Sequence, residues 1–300
     1  MSAGPPRDLP GDRSGNLPEP LARWLAGDLS APLALMQLLL QAGSVAAAAA
    51  ALREPRFAAL ARLLAANRAG AERLLAVAGI VDHDPAPDRA GDAAEDAVAR
   101  IRRAFDAAVA RDAPSSVAFY ALGSEAILAE ATAEVVALMR GWGLLGPGRR
   151  LLDLGCGIGR FAAALAGEVA AVTGLDLSAG MIAEARRRCA GLANVRLLQG
   201  TGRDLAPFAD GAFDLLLAAD SFPYIVQAGP AVVATHIGEI ARVLAPGGDA
   251  LILNFSYRGD LEADRRELAA LAAAHGLAVL RNGTRDLTLW DAAAFHLRRP

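Results

Sequence analysis

Apolar positions recur at helical spacing up to about residue 115 of this chain; beyond it, helical and strand spacings alternate. Leu21, Trp24, Leu25 and Leu29 fall on one helix face, because steps of three and four residues return to the same side. Ser30 reads as the N-cap of a second helix, with Pro32 in its first turn and Leu35, Leu38 and Leu39 on one apolar face. A longer pattern over 57–77 carries Leu60, Leu63, Leu64, Leu74 and Leu75, and another over 92–111 carries Val98, Ile101, Phe105 and Val109. Prolines at 85 and 87 make 82–87 a loop, and Asp-Ala-Pro-Ser-Ser at 112–116 reads as a junction. Residues 1–20, rich in Pro, Gly, Asp and Arg, are expected to be disordered. No strand pattern precedes residue 150, and no internal repeat of fixed period is present.

From residue 116 the pattern changes. Phe119, Tyr120, Ile127, Leu128, Val135, Val136 and Leu138 belong to helices leading to the first strand. Short apolar runs then predict strands at 150–154, 171–175, 195–199, 213–218, 250–255, 277–282 and 294–298. Helical stretches to 167 and over 179–190, 231–244 and 261–275 lie between them, and Pro246-Gly247-Gly248 reads as a sharp turn. Such alternation predicts a parallel sheet covered by helices on both faces. The last two strands lack a long helix between them, so the final one is expected to run antiparallel. The organisation expected is a tail at 1–20, a helical domain at 21–115 serving as lid or dimerisation element, and an α/β domain at 116–300.

Composition narrows the function classes. Apolar content of 54% is ample for a core, while a net charge of −3 and a pI near 5.9 make no case for a nucleic-acid or anionic-membrane partner. All basic residues are arginine. Cys156 and Cys189 have no metal-site spacing and suggest no disulfide framework. The uncharged stretch 31–52 is long enough to span a bilayer. Its second half is mostly alanine, however, and Gly43-Ser44 reads as a break with a new N-cap, so a buried helix pair is expected. The N-terminus is not apolar enough for a signal peptide, and a cytoplasmic location is expected.

The densest chemical signal is Leu-Leu-Asp-Leu-Gly-Cys-Gly-Ile-Gly-Arg at 151–160. A buried strand here enters a turn whose glycines at 155, 157 and 159 permit positive φ and close approach of a ligand. The helix that follows directs free N–H groups at that ligand. A dinucleotide fingerprint needs G-x-G-x-x-G, and Arg160 stands where its pattern no longer fits. Asp153 inside the strand suits a ligand with a cationic end. Asp176, closing the second strand, can accept both hydroxyls of an adenosine ribose under either nucleotide reading.

These residues, with Gly174-Leu175-Asp176-Leu177-Ser178, Met181-Ile182, Phe213-Asp214-Leu215 and 241–248 (Ala-Arg-Val-Leu-Ala-Pro-Gly-Gly), stand in the order of class I S-adenosylmethionine (SAM) dependent methyltransferases, which residues 118–300 resemble. The resemblance implies a Rossmann-like, seven-stranded, mostly parallel sheet with a reversed last strand, here preceded by an all-α domain. It implies SAM as cofactor. Gly155, Cys156, Gly157 and Gly159 would offer backbone to its methionine and ribose, Asp153 would help position its amino group, and Asp176 would hold the ribose. Met181 and Ile182, opening the next helix, can flank an adenine, and Leu177 is a further cofactor candidate. The family often has an acid after the glycine of the third loop; Thr201 stands there, leaving Thr201, Gly202, Arg203 and Asp204 as adenine candidates.

Asp220-Ser221-Phe222-Pro223-Tyr224 follows the fourth strand at the active-site mouth, as a lid or substrate-pocket loop in which Asp220 is expected to contact the cofactor, and resembles the Asp/Asn-Pro-Pro-Tyr motif of amino-group methyltransferases with an extra residue and one proline fewer. Tyr224 and His236 are the candidate catalytic residues, His236 as a base if the acceptor is a hydroxyl. The acceptor expected is a small molecule, methylated on O, N or C, and the assembly considered is a homodimer through the helical domain. A protein or RNA methyltransferase, a non-catalytic SAM- or nucleoside-binding regulator and a nicotinamide dehydrogenase are the alternatives.

Overall fold

The computed structural model describes residues 17–81 and 94–300. Strands β1 (Gly146–Leu154), β2 (Val169–Asp176), β3 (Val195–Gln199), β4 (Phe213–Ala219), β5 (Leu244–Leu253), β6 (Ala278–Arg285) and β7 (Ala293–Arg298) form one sheet in the order β3-β2-β1-β4-β5-β7-β6. The first five are parallel, and β7 runs antiparallel to both β5 and β6. The interior of β1 shows why such strands read as continuous apolar runs: Leu151, Leu152, Asp153 and Leu154 are all buried, covered from both faces. The order in which strands are added to the sheet reverses between β1 and β4, which are parallel. A crevice therefore opens beyond their carboxyl ends, where ligands bind in folds of this kind.

Helices α8 (Arg160–Leu165), α9 (Ala179–Arg188), α10 (Phe222–Gln227), α11 (Pro230–Val243) and α12 (Leu261–Ala274) connect the strands. Helix α7 (Glu125–Gly141) precedes β1. The segment 220–224, read from sequence as a loop, instead enters α10, with Pro223 in its first turn; a proline there lacks only an N–H that has no partner anyway. The Pro-Gly-Gly turn lies within β5, which starts at Leu244, because Gly247 N–H donates to Arg299 O at 2.8 Å.

The N-terminal region comprises α1 (Glu19–Ala26), α2 (Ala31–Ala42), α3 (Val45–Ala51), α4 (Ala58–Ala66), α5 (Arg68–Ala78) and α6 (Ala94–Arg111). Glu19 and Pro20, placed in the tail by sequence, open α1; residues 1–16 and the expected loop at 82–87 lie outside the described residues. Gly43 (φ 66°) ends α2, and the Ser44 hydroxyl accepts from Ala47 N–H to start α3. The two helices meet at 118°, and among the described residues no single helix is long and apolar enough to cross a membrane. The single helix expected over 57–77 is broken at Asn67, whose backbone and side-chain N–H groups both donate to Leu63 O.

Helices and sheet share a core. Leu35, Leu39 and Leu74 belong to the same buried cluster as Leu128, Leu151 and Leu217. Ser30 Oγ donates to Leu289 O at 2.8 Å, and Arg73 Nε to Asp112 Oδ1 at 2.7 Å. Gly70 in α5 lies directly against the backbone of Leu122 and Gly123.

Candidate functional site

A cleft of about 1190 Å³, its open mouth included, lies at the carboxyl ends of β1, β2 and β4. Gly155, Gly157 and Gly159 adopt φ of 72°, 52° and 76°, left-handed values that glycine takes without strain. A Cβ at Gly155 would come within 2.3 Å of Ser221 Cβ, and one at Gly157 within 2.8 Å of Val117 Cγ1. Ser221 Oγ donates to Leu154 O at 2.8 Å and so fastens the turn after β4 to the turn after β1. The bare backbone of this turn is thus a consequence of packing from two sides, and it forms the cleft floor.

Asp176 is held by two backbone donors, Gly157 N–H to Oδ2 and Ser178 N–H to Oδ1, both at 2.9 Å. Each oxygen retains acceptor capacity toward the cleft. Burial raises its pKa to about 6, although those backbone bonds oppose the rise. Such a carboxylate, buried at a cleft wall with no cation beside it, suits a neutral polyol such as a ribose.

Asp153 lies beneath the turn instead of lining the cleft. It is 1% exposed, and its Oδ2 has no hydrogen-bond partner among the described residues. Burial pushes its pKa to about 7; Arg160 pulls the other way and Asp176 adds to the rise. Arg160 is the first residue of α8, where a cation opposes the helix dipole. It is buried, donates to Thr132 Oγ1 at 3.2 Å and lines the cleft. A buried cation facing the cleft matches the carboxylate of a methionine moiety, and the orphaned Asp153 oxygen beneath matches a cationic amino group acting directly or through water. The glycine cradle, Asp176 and this pair therefore fit SAM.

The raised carboxyl also has a stability consequence. A folded pKa of about 7 against an ordinary 3.8 means that the native state holds the proton over that interval while the unfolded chain releases it. The penalty is absent below pH 3.8, grows through the interval and is complete above pH 7, with an upper bound of about 4 kcal/mol. Asp153→Asn is therefore expected to stabilise the ligand-free protein at pH 8 by about 1–2 kcal/mol, the remainder offset by the lost attraction to Arg160, and to leave it unchanged at pH 4. Urea unfolding at both pH values reads this; an equal effect at both would contradict it.

Of the remaining expected cofactor residues, Cys156, Leu177, Met181, Gly202 and Asp220 line the cleft, together with Asp204. Gly159 turns its back to it, packing on Ala185 and Cys189. Thr201 and Arg203 are exposed and do not line it, because Thr201 Oγ1 accepts from Arg203 N–H at 3.2 Å and closes a local turn. Tyr224 and His236 both line the cleft, whereas Phe222 is buried behind it, stacked on Phe255 at 5.7 Å.

Sequence reasoning offered the helical region as a lid but named none of its residues as cleft-lining. Val98, Ile101 and Phe105 of α6 form one wall, and Val117 and Phe119 another. Asp106 Oδ1 accepts from Ser178 Oγ at 2.6 Å and Gly180 N–H at 3.1 Å, which latches α6 to the first turn of α9. Tyr257, after β5, was also missed. Its ring meets Tyr224 edge-on at 5.9 Å, and its hydroxyl bonds with Asp220 and Tyr224. Asp220 and Asn254 are non-glycine residues at positive φ, 61° and 63°, and Asn254 Nδ2 donates to Asp220 Oδ1 at 3.0 Å. Strained backbone held by mutual bonds marks this end of the cleft as built for a purpose.

Residues 152–252 match the family described as methyltransferase domain. Demethylmenaquinone methyltransferases of Clavibacter sepedonicus (38% identity over 109 residues, 36% of this chain and 42% of the relative) and Thermus thermophilus (40% over 111 residues, 36% and 47%) are similar to it. The chain thus spans less than half the length of these curated relatives. Magnesium protoporphyrin IX methyltransferase from Synechocystis, solved with bound SAM, shares the fold at a TM-score of 0.51 and 19% identity, over 71% of this chain and all of that one. With the glycine turn, Asp176 and strand order already described, these similarities identify residues 152–252 as a methyltransferase domain, set in a sheet with the class I SAM-dependent methyltransferase fold.

Proposed function

We propose that the protein transfers the methyl group of SAM to a small, largely apolar acceptor seated between Tyr224, Phe119 and the α6 wall. The observation that carries this reading is the continuity of one cleft from Asp176, at the ribose end, to Asp220, Tyr224 and Tyr257. Phe105 and Tyr224 meet edge-on at 4.7 Å and close the cleft from above. That enclosure suits a compact acceptor better than a protein or RNA segment. The acceptor named for the similar demethylmenaquinone methyltransferases is likewise a small molecule.

SAM supplies an activated methyl group, so the protein has to align the acceptor and exclude water. The aromatic walls do both. Asp220 and Tyr257 offer the polar contacts that would orient an acceptor hydroxyl, amine or enol, with Asp220 able to take a proton. Burial holds the Tyr224 and Tyr257 hydroxyls well above the ordinary tyrosine pKa, so both remain neutral donors. The buried free thiols of Cys156 and Cys189 suit a reducing compartment, and a cytoplasmic location belongs to this proposal.

The test supplies purified protein with methyl-labelled SAM and, separately, the small-molecule and macromolecular fractions of a cell extract. Label is expected in a small, organic-extractable product, and Tyr257→Phe is expected to slow its formation about 10-fold, the worth of one oriented hydrogen bond. Label confined to protein or RNA would overturn the acceptor class, and no label in either fraction would argue against catalysis.

A further inference from the structure

We infer that His236 is the residue that reads the adenine of the cofactor, accepting a hydrogen bond from its 6-amino group at the position left without the usual acid. This rests on the SAM reading above. It also moves His236 from the chemistry of methyl transfer to recognition of the nucleobase.

The placement follows from three neighbours. Asp176 fixes the ribose end at the carboxyl terminus of β2. Beyond it, a Cβ on Gly202 would lie 3.1 Å from Val98 Cγ1 and 3.4 Å from Leu177 Cβ, so these three surfaces stand together. Val98 also belongs to the small cluster containing Ala228 and Val232, against which Leu177 packs. His236 lies one helical turn after Val232 on the same face of α11, and its ring lines the cleft. The charged groups acting on it are Asp204 and Glu239, both on the Gly202 side, whereas Tyr257 is acted on by Asp220 and Tyr224 at the other end. Tyr224 packs against the same cluster, but its hydroxyl is engaged with Tyr257 near Asp220, whereas His236 is acted on from the Gly202 side and so shares the nucleobase end.

Its protonation state is set by one bond. Nδ1 lies 2.8 Å from Val232 O. A carbonyl can only accept, so Nδ1 carries the proton and donates. Nε2 therefore presents a lone pair, and no described residue donates to it. Burial lowers the pKa from its ordinary 6.5, which keeps the ring neutral at physiological pH even with two carboxylates nearby. A buried imidazole acceptor whose tautomer is fixed by its own helix complements an exocyclic amine and opposes a 6-oxo group. Thr201, in the position of the family's acid, has its hydroxyl engaged by Arg203 N–H and faces solvent.

The experiment compares binding of S-adenosylhomocysteine with that of S-inosylhomocysteine, which carries a 6-oxo group, by calorimetry. Wild type is expected to prefer the adenosyl compound by at least about 10-fold, the usual cost of opposing an acceptor to a buried acceptor. His236→Phe should weaken adenosyl binding about 10-fold and leave inosyl binding nearly unchanged, and His236→Gln, which restores a carbonyl acceptor, should recover much of the preference. Asp204→Ala should leave the preference intact. Equal loss of both ligands in His236→Phe without recovery in His236→Gln would assign the histidine to packing and overturn the inference. So would loss of the preference in Asp204→Ala alone. Adenosyl binding without discrimination in wild type would sink this inference and spare the cofactor reading; binding of neither compound would sink both.

Discussion

Asp176→Asn is expected to weaken S-adenosylhomocysteine binding about 100-fold while leaving the fold intact. The carboxylate at the end of β2 is placed to accept two hydroxyls at once, and each charge-assisted bond contributes about 1.5–3 kcal/mol. Asparagine keeps the size and one oxygen. Its Oδ1 can still take Ser178 N–H, but the amide nitrogen must then face Gly157 N–H, a donor against a donor, where Oδ2 now accepts at 2.9 Å. The ribose thus loses one acceptor and the glycine turn loses its tether. The same carboxylate predicts how binding depends on pH. Its pKa of about 6 in the free protein means that lowering the pH through 6 protonates it and removes an acceptor. Affinity should therefore fall more steeply between pH 8 and 5 in wild type than in Asp176→Asn, in which only the protonation of Asp153 near pH 7 remains. Calorimetry at pH 5 and 8 checks both statements, with circular dichroism to confirm folding; undiminished binding by the variant at pH 8 would remove Asp176 from the ribose site.

What could be read from sequence divides along a physical line. Gly155, Gly157 and Asp176 were legible because their chemistry is local: positive φ and the end of a strand leave marks within a few residues. The parallel sheet was legible for the same reason, since runs such as Leu215–Leu217 need only be apolar throughout. Val98, Ile101 and Phe105 were visible as a helix face, but nothing in the spacing says what that face covers. It covers the cleft beyond β1 and β2, a tertiary fact fixed by the Asp106 latch on Ser178 and Gly180. Tyr257 and Asn254 were illegible because their roles come from β5 lying beside β4 in the sheet. Arg160 did leave a signal that went unused, a cation at the first position of a helix, which asks for an anion nearby. Thr201 and Arg203 were assigned to adenine by position in the loop; the structure turns both outward because one hydroxyl satisfied a local backbone donor first.

The docking of the helical region should be sensitive to a single methyl group. Gly70→Ala is expected to lower stability by about 3 kcal/mol, at the upper end for overpacking. Propensity alone argues the other way, since alanine in a helix interior is favoured over glycine by about 1 kcal/mol. The steric term wins because the obstacle is backbone: the new Cβ would lie 2.3 Å from Leu122 O and 3.1 Å from Gly123 C and O. No rotamer change relieves that contact, and Gly123 cannot retreat freely, because Arg73 donates to its carbonyl at 3.3 Å and also ion-pairs with Asp112. Leu122 already sits at φ 53°, so the chain there has little latitude. A displaced α5 would shift the segment containing Phe119, a cleft wall, so cofactor binding should weaken together with stability. Gly79→Ala is the matched control: it closes the same helix at φ −72° with no atom within 4 Å of the added carbon, and should be neutral or slightly stabilising. Denaturant unfolding of the two variants separates the terms. Equal stabilities would show that α5 can move away from Gly123 without cost, and that the helical region is less tightly joined to the cleft than the shared core implies.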